Sequence, residues 1–180
     1  MGYVIAPGPQ ATVEVRGTAD RYPVHRIYCV GRNYADHARE MGGDPEREPP
    51  FFFMKPADAV VPSGATIPYP PRTTNFHHEL ELVIAIGKGG HNIPVDQALD
   101  HIYGYAVGND FTRRDLQTAM RNVGRPWDVS KGFDRAAAIG SIRPVTAGAH
   151  VLAGRMYLKV NGEMRQDSDV SQMIWSVPEI

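Results

Sequence analysis

The sequence predicts a strand-rich α+β fold, and three observations carry that expectation. Eighteen glycines and fifteen prolines among 180 residues cut the chain into short pieces, which favours strands joined by turns. The apolar residues fall in short continuous runs, such as Ile27-Tyr28-Cys29-Val30, Phe51-Phe52-Phe53-Met54 and Leu82-Val83-Ile84-Ala85-Ile86, rather than at helical spacing. The windows that read as helix are few and short. A chain of this length fits one domain with a core of its own, and it contains no repeat and no low-complexity segment.

Taken in order, residues 1–26 are weakly patterned, with Val4-Ile5 and Val13-Glu14-Val15 as short strands. Arg26 to Val30 reads as a buried strand ended by Gly31. Asn33 to Met41 reads as a short helix, with Asn33 as its cap and Gly42-Gly43 as its stop. Residues 44–50 are charged and proline-rich, hence a loop, and Phe51 to Pro56 is a strand closed by proline. A proline-rich connection from Pro62 to Asn75 leads into one long strand, Phe76 to Gly87. Its first half is polar and its second half continuously apolar, hence buried. Side chains alternate along a strand, so Glu79 and Glu81 share one face, whereas the neighbours His77 and His78 point oppositely.

After the turn Gly87-Lys88-Gly89-Gly90, Pro94 to His101 can form a helix, and Tyr103 to Asn109 is a strand that delivers the chain to Asp110. Thr112-Arg113-Arg114-Asp115 has the form of a capping box, opening a helix to about Val123 with Gly124 as its stop. Arg125 to Gly140 reads as irregular. Arg155 to Arg165 is a hairpin through Asn161-Gly162, the dipeptide a type I′ turn prefers. Ser168 to Trp175 reads as a closing helix.

Charge excludes some partners. Nineteen basic and twenty acidic residues leave a formal net charge of -1, so nothing draws the chain broadly to nucleic acid or to a membrane surface. No apolar run approaches spanning length, and no signal-peptide pattern opens the chain. The single cysteine, Cys29, excludes an internal disulfide and reads as a small buried hydrophobe. A soluble cytoplasmic protein is the expectation.

The chemistry-bearing residues gather around the Phe76–Gly87 strand. Two carboxylates on one face repel each other unless a cation lies between them, and Asp110 at the end of the next strand adds a third hard oxygen donor. Three carboxylates suit Mg²⁺, Mn²⁺ or Ca²⁺ better than zinc, and a zinc-protease motif starting at His78-Glu79 fails because position 82 is leucine. Solvated surface glutamates are the plain alternative. His37 and Glu40, three apart on the first helix, form a general-base pair in type or an ordinary charged pair on a surface helix. Arg114 and Gln117, three apart at a helix start, suit a bound carboxylate or simply an exposed face. Lys131, between Trp127 and Phe133, is either a half-buried charge useful beside an enolate or a surface lysine.

Several phrases together resemble the fumarylacetoacetate hydrolase family. They are Val30-Gly31-Arg32-Asn33-Tyr34-Ala35-Asp36-His37, Phe53-Met54-Lys55-Pro56, His77 to Leu82, Asn109 to Gln117, Arg125-Pro126-Trp127 with Lys131-Gly132-Phe133, and Val160-Asn161-Gly162-Glu163 with Arg165-Gln166. The nearest subgroup is the small acylpyruvate hydrolases, including the fumarylpyruvate hydrolases. The resemblance implies a rolled mixed β core with short helices, residues 1–26 as an extension and 27–180 as the catalytic domain, and a homodimer. It implies Glu79, Glu81 and Asp110 as ligands of Mg²⁺ or Mn²⁺, with Ca²⁺ as the other hard ion such a site takes up in crystals. It implies His37 and Glu40 as the pair that activates water, Lys131 as the catalytic lysine, and Arg114, Gln117, Arg32 and Lys55 as substrate-binding. Members of the family continue for some tens of residues beyond the position where this chain ends, with a Gly-Thr-Pro-x-Gly-Val-Gly loop. The resemblance therefore implies that this part of the family domain is absent here.

The expected activity is metal-dependent hydrolysis of a carbon–carbon bond in a 2,4-dioxo acid, foremost fumarylpyruvate. Two rivals stand beside it: decarboxylation of oxaloacetate through the same enolate, and a non-catalytic metal-binding remnant.

Overall fold

The structure is a computed structural model that describes residues 2–34, 48–145 and 150–180. Its centre is β8 (Ile102–Asp110), the longest strand. β7 (Leu80–Ile86) lies antiparallel along one edge of β8, with Leu80 opposite Asn109 and Ile84 opposite Tyr105. The other edge is shared. β11 (Arg143–Pro144) pairs near the start of β8, and β10 (Ala137–Ile139) pairs near its end, Ala137 opposite Asp110. β5 (Val60–Pro62) joins β10 in parallel, which makes the five-stranded sheet mixed.

Four antiparallel two-stranded ribbons accompany this sheet: β1 (Thr12–Glu14) with β2 (Arg21–Pro23), β3 (Ile27–Gly31) with β4 (Phe51–Lys55), β6 (Phe76–His77) with β9 (Thr112–Arg113), and β12 (Arg155–Val160) with β13 (Glu163–Asp169). Helix is confined, among the described residues, to α1 (Arg114–Asn122), α2 (Asp128–Lys131) and three 3₁₀ segments. The strand-rich α+β class with a mixed sheet is the one expected.

The core is made of small and branched side chains that fit between closely spaced strands: Val13, Val15, Val24, Ala59, Ala85, Ala106, Ala136, Ala137, Ile139 and Ile142, closed by Phe133. Val13, Val15 and Val24 come from residues 1–26, so that extension shares the core. Close spacing has a cost in side-chain choice. A Cβ on Gly104 of β8 would lie 2.5 Å from the Arg143 carbonyl oxygen, so only glycine lets β11 approach there.

Several boundaries differ from the expectation, each for a physical reason. The single strand Phe76–Gly87 is two, because at His78–Glu79 the backbone leaves its ladder. There the Glu79 N–H donates to Asn109 Oδ1 at 2.9 Å and the Leu80 N–H to Gln166 Oε1 at 2.9 Å. The apolar half of β7 is largely half-buried rather than enclosed, and Ile86 is exposed. Thr112 does not cap α1. It lies in β9, fully buried, with its hydroxyl turned inward to the Asp110 carbonyl, and Arg113 occupies the cap position without a side-chain bond. Asp115 instead accepts from the Thr73 hydroxyl and the Thr74 N–H, fastening α1 to the preceding connection.

Residues 125–140 are not irregular throughout, since they hold α2 and β10. Val95–His101 is helical but of 3₁₀ form, and the closing helix shrinks to one 3₁₀ turn at Val170–Gln172 because β13 runs on through Asp169. Val4-Ile5 finds no partner strand and stays exposed. The Asn161-Gly162 turn is as expected, both residues having positive φ (51° and 87°) as type I′ geometry requires. The helix expected from Asn33 to Met41 lies outside the described residues beyond Tyr34.

Candidate metal centre

The end of β8 and the break before β7 converge on one point. Asp110 is the last residue of β8, and its N–H donates to the Glu79 carbonyl at 2.8 Å, which fixes the break against the strand end. Glu79, Glu81 and Asp110 each turn a carboxylate oxygen inward, and these oxygens lie within 4.8 Å of one another. Glu79 and Asp110 are buried. Acids packed so closely away from water raise one another's proton affinity. Glu81 bears this most clearly: burial, then the Asp110 and Glu79 carboxylates, push its carboxyl up to about 8.

Cations answer the other two acids. Lys131, the last residue of α2, is 1% exposed, and its ammonium donates to Glu79 Oε2 at 2.5 Å, Asp110 Oδ2 at 2.8 Å and the Thr112 hydroxyl at 2.7 Å. The Arg114 guanidinium donates to Glu79 Oε1 and to Gln117 Oε1. Burial by itself raises the Glu79 carboxyl, but Lys131 and Arg114 outweigh it and hold that group below the usual carboxylate range. Lys55, 2% exposed, lies 2.7 Å from Asp110 Oδ1. Burial lowers its ammonium below the usual lysine range against the pull of Asp110. Among the described residues no cationic side chain pairs with Glu81.

The donor set fits a hard divalent ion. It is all carboxylate oxygen, and Glu81 has no ion-pair partner among the described residues, while Asp110 Oδ1 is buried against the Lys55 ammonium. Aromatic rings shield the lysine side of the cluster. Lys131 Nζ sits 5.0 Å from the Phe53 ring centre, and Phe53 and Phe51 pack on Trp127 with centroids 5.8 and 4.9 Å apart. Excluding water there strengthens each charge contact.

The structure therefore brings together Glu79, Glu81, Asp110, Lys131, Arg114 and Gln117, the last only 2% exposed. Lys55 joins them from behind Asp110 rather than from an open face. Arg32 has left-handed backbone (φ 59°) and a buried Nε with no partner, and it makes none of the contacts that bind the cluster. His37 and Glu40 lie outside the described residues. His77 accepts from Arg114 Nε at 3.5 Å, and His78 Nδ1 donates to Gln166 Oε1 at 3.2 Å, so both histidines brace neighbours of the carboxylates.

Three contributors escape sequence reasoning. Thr112 accepts from Lys131 but carries the signature of a helix cap. Asn109 holds the Glu79 N–H, and its place beside Asp110 is the one signal it gives. Gln166, from the distant β13, holds the Leu80 N–H, and its place in the phrase that ends Arg165-Gln166 is the one signal it gives. Cys29, expected to be buried, is half-buried, and its thiol is pushed up to about 12 by burial and then by the Asp110 carboxylate.

Known proteins share this arrangement of chain. Residues 26–180 match the family described as fumarylacetoacetate (FAA) hydrolase C-terminal. Fumarylpyruvate hydrolase of a Ralstonia species is 48% identical over 137 residues, spanning 76% of this chain and 71% of that protein. The oxaloacetate tautomerase FAHD1, mitochondrial, of Mus musculus is 42% identical over 154 residues, spanning 86% of this chain and 69% of that protein. The crystal structure of fumarylpyruvate hydrolase from Pseudomonas aeruginosa in complex with Mn²⁺ and pyruvate superposes with a TM-score of 0.94 at 55% identity, covering 99% of this chain and 78% of that one. The chain belongs to the fumarylacetoacetate hydrolase C-terminal family.

Proposed function

We propose that this family member is a divalent-metal-dependent hydrolase that cleaves a carbon–carbon bond in an acylpyruvate, with fumarylpyruvate, giving fumarate and pyruvate, as its first substrate. The observation that carries the reading is the buried Lys131 ammonium, set 2.5 and 2.8 Å from two of three converging carboxylates. A preorganised positive charge of that kind stabilises an enolate as it forms. Glu79, Glu81 and Asp110 would hold Mg²⁺ or Mn²⁺, which supplies Lewis acidity toward the oxygens of a 2-oxo acid. The name of the Pseudomonas aeruginosa structure, with its Mn²⁺ and pyruvate, supports both the ion and the product class.

The protein's own groups divide the remaining work. Arg114 with Gln117, and Arg32, hold the substrate carboxylates; Lys55, enclosed behind Asp110, acts from outside the substrate's reach. Glu40 orients His37, which takes a proton from water; the water oxygen adds to the distal carbonyl carbon. The bond between carbons 3 and 4 then breaks, its electron pair passing into the pyruvate enolate beside Lys131. The proton that His37 took from water passes to carbon 3 and completes pyruvate, while the water oxygen ends in the carboxyl group of the released acid. Residues 27–180 carry this chemistry, with residues 1–26 completing the core. The exposed Tyr28, Phe52 and Met54 on one face of the β3–β4 ribbon support the expected homodimer, and we further assign the enzyme to the cytoplasm.

Purified protein with Mg²⁺ or Mn²⁺ is expected to bleach the ultraviolet absorbance of fumarylpyruvate. Inactivity toward fumarylpyruvate, acetylpyruvate and related 2,4-dioxo acids, with metal bound, would sink the reading and leave a metal-binding scaffold. The oxaloacetate tautomerase relatives favour a second reading, enolate chemistry on oxaloacetate without attack by water. There His37→Ala would spare most activity, including any decarboxylation, whereas hydrolysis would collapse.

A further inference from the structure

We infer that Lys55 is a positioning residue of the carboxylate cluster: it fixes the Asp110 carboxylate to the end of α2 and thereby sets the spacing on which metal binding depends. The inference rests on the metal-site reading above, and it departs from the substrate-binding role that the family resemblance implies for this lysine.

Three contacts enclose the Lys55 ammonium. It donates to the Phe111 carbonyl at 3.1 Å and to the Lys131 carbonyl at 2.5 Å, and it lies 2.7 Å from Asp110 Oδ1. With the side chain 2% exposed, no donor is left for a small molecule. Each contact is to a different part of the site's frame. Phe111 follows directly on the strand that delivers Asp110. Lys131 ends α2, so its carbonyl lacks a partner within the helix. One ammonium thus ties the end of β8 to the end of α2, the two elements that present Asp110 and the Lys131 side chain to each other. Lys55 is itself anchored as the last residue of β4, paired with Ile27.

At 2.7 Å the Lys55 ammonium holds Asp110 Oδ1 on one side and so orients the carboxylate, whose Oδ2 meets Lys131. The two main-chain carbonyls, rather than Asp110 alone, keep the ammonium where it is. Lys131, in contrast, lies directly between Glu79 and Asp110.

The sign of one measurement separates positioning from mere proximity. A positive charge beside a metal ligand repels a dication, so on Coulomb's law alone its removal tightens metal binding. If Lys55 positions Asp110, removal weakens binding instead. Binding of Mn²⁺ alone, followed by electron paramagnetic resonance of the free ion in folded protein, reads this without any substrate. Lys55→Met is expected to weaken Mn²⁺ binding by about 10–100-fold, the range seen when the partners of metal ligands are removed. Lys55→Arg, which keeps a cation and several donors, is expected to recover much of that loss. Binding by Lys55→Met as tight as in the parent, or tighter, overturns the inference. So does failure of both variants to fold by circular dichroism, which would make Lys55 a staple of the fold alone. A parent protein that binds no Mn²⁺ overturns instead the metal-site reading beneath it.

Discussion

Glu81 and Lys131 share one small volume with opposite consequences for pH and stability. Without metal, the Glu81 carboxyl keeps its proton to about pH 8, whereas the unfolded chain releases it near 4.5. The unfolded state therefore gains stability as pH rises through that window, and the metal-free fold weakens from about pH 4.5 to about pH 8 and stays at the lower level above it. Chemical denaturation of chelator-treated protein across this range checks the trend, and Glu81→Gln is expected to remove that part of it. Mn²⁺ must displace the same proton, so its affinity is expected to rise about tenfold per pH unit below pH 8 and then level off. Titration calorimetry in buffers of different ionisation enthalpy counts the proton released. Lys131→Met leaves Glu79 and Asp110 facing each other with no cation between them. It is expected to cost about 3–5 kcal/mol of stability by denaturant titration and about 10²–10³-fold in turnover of an acylpyruvate. The acids were legible because alternation along a strand pairs Glu79 with Glu81. The burial of Lys131 and Lys55 was not, since lysine belongs to the surface unless a partner absent from the local sequence draws it in.

At the scale of elements, what local sequence states about itself was readable, and what a distant partner decides was not. The β12–β13 turn is fixed by two residues, Asn161 and Gly162, whose own backbone preference suffices. β10 is different. Ala137-Ala138-Ile139 has little strand preference, and it is a strand because β8 and β5 flank it. The break before β7 exists because Asn109 and Gln166 take the N–H groups of Glu79 and Leu80, and Gln166 is 86 positions from Leu80. Thr112 misleads for a related reason. A threonine followed three positions later by an acid has one appearance whether it caps a helix or buries its hydroxyl beneath a lysine. The close approach of β8 and β11 yields a sharper expectation. Gly104→Ala forces the Arg143 carbonyl aside and is expected to lower stability by about 1–3 kcal/mol, read as a lower denaturation midpoint with unchanged slope.

For the whole molecule, strand-rich class and family were visible because turn residues and motif phrases recur along nearly the full chain, whereas strand order depends on pairings no single phrase contains. Metal binding at the proposed site would be coupled to the global fold, since Glu81, Asp110 and Glu79 are held by β7, β8 and the break between β6 and β7. Saturation with Mn²⁺ at a hundred times its dissociation constant is expected to stabilise the protein by about 2.7 kcal/mol. For a chain of this size that raises Tm by about 5–10 °C in differential scanning fluorimetry, and a chelator reverses it. The fold also contains a clasp between two positions far apart in the chain. Asn33 exchanges two side-chain hydrogen bonds with the Trp175 backbone, its carbonyl accepts from Ile174 N–H, and Trp175 Nε1 donates to the Glu48 carbonyl. Residues 33 and 175 stand 142 positions apart. On the ribosome, Asn33 therefore waits until a partner 142 positions further along the chain has been synthesised. The contacts that Asn33 and Glu48 make with Trp175 form only once translation has passed Trp175.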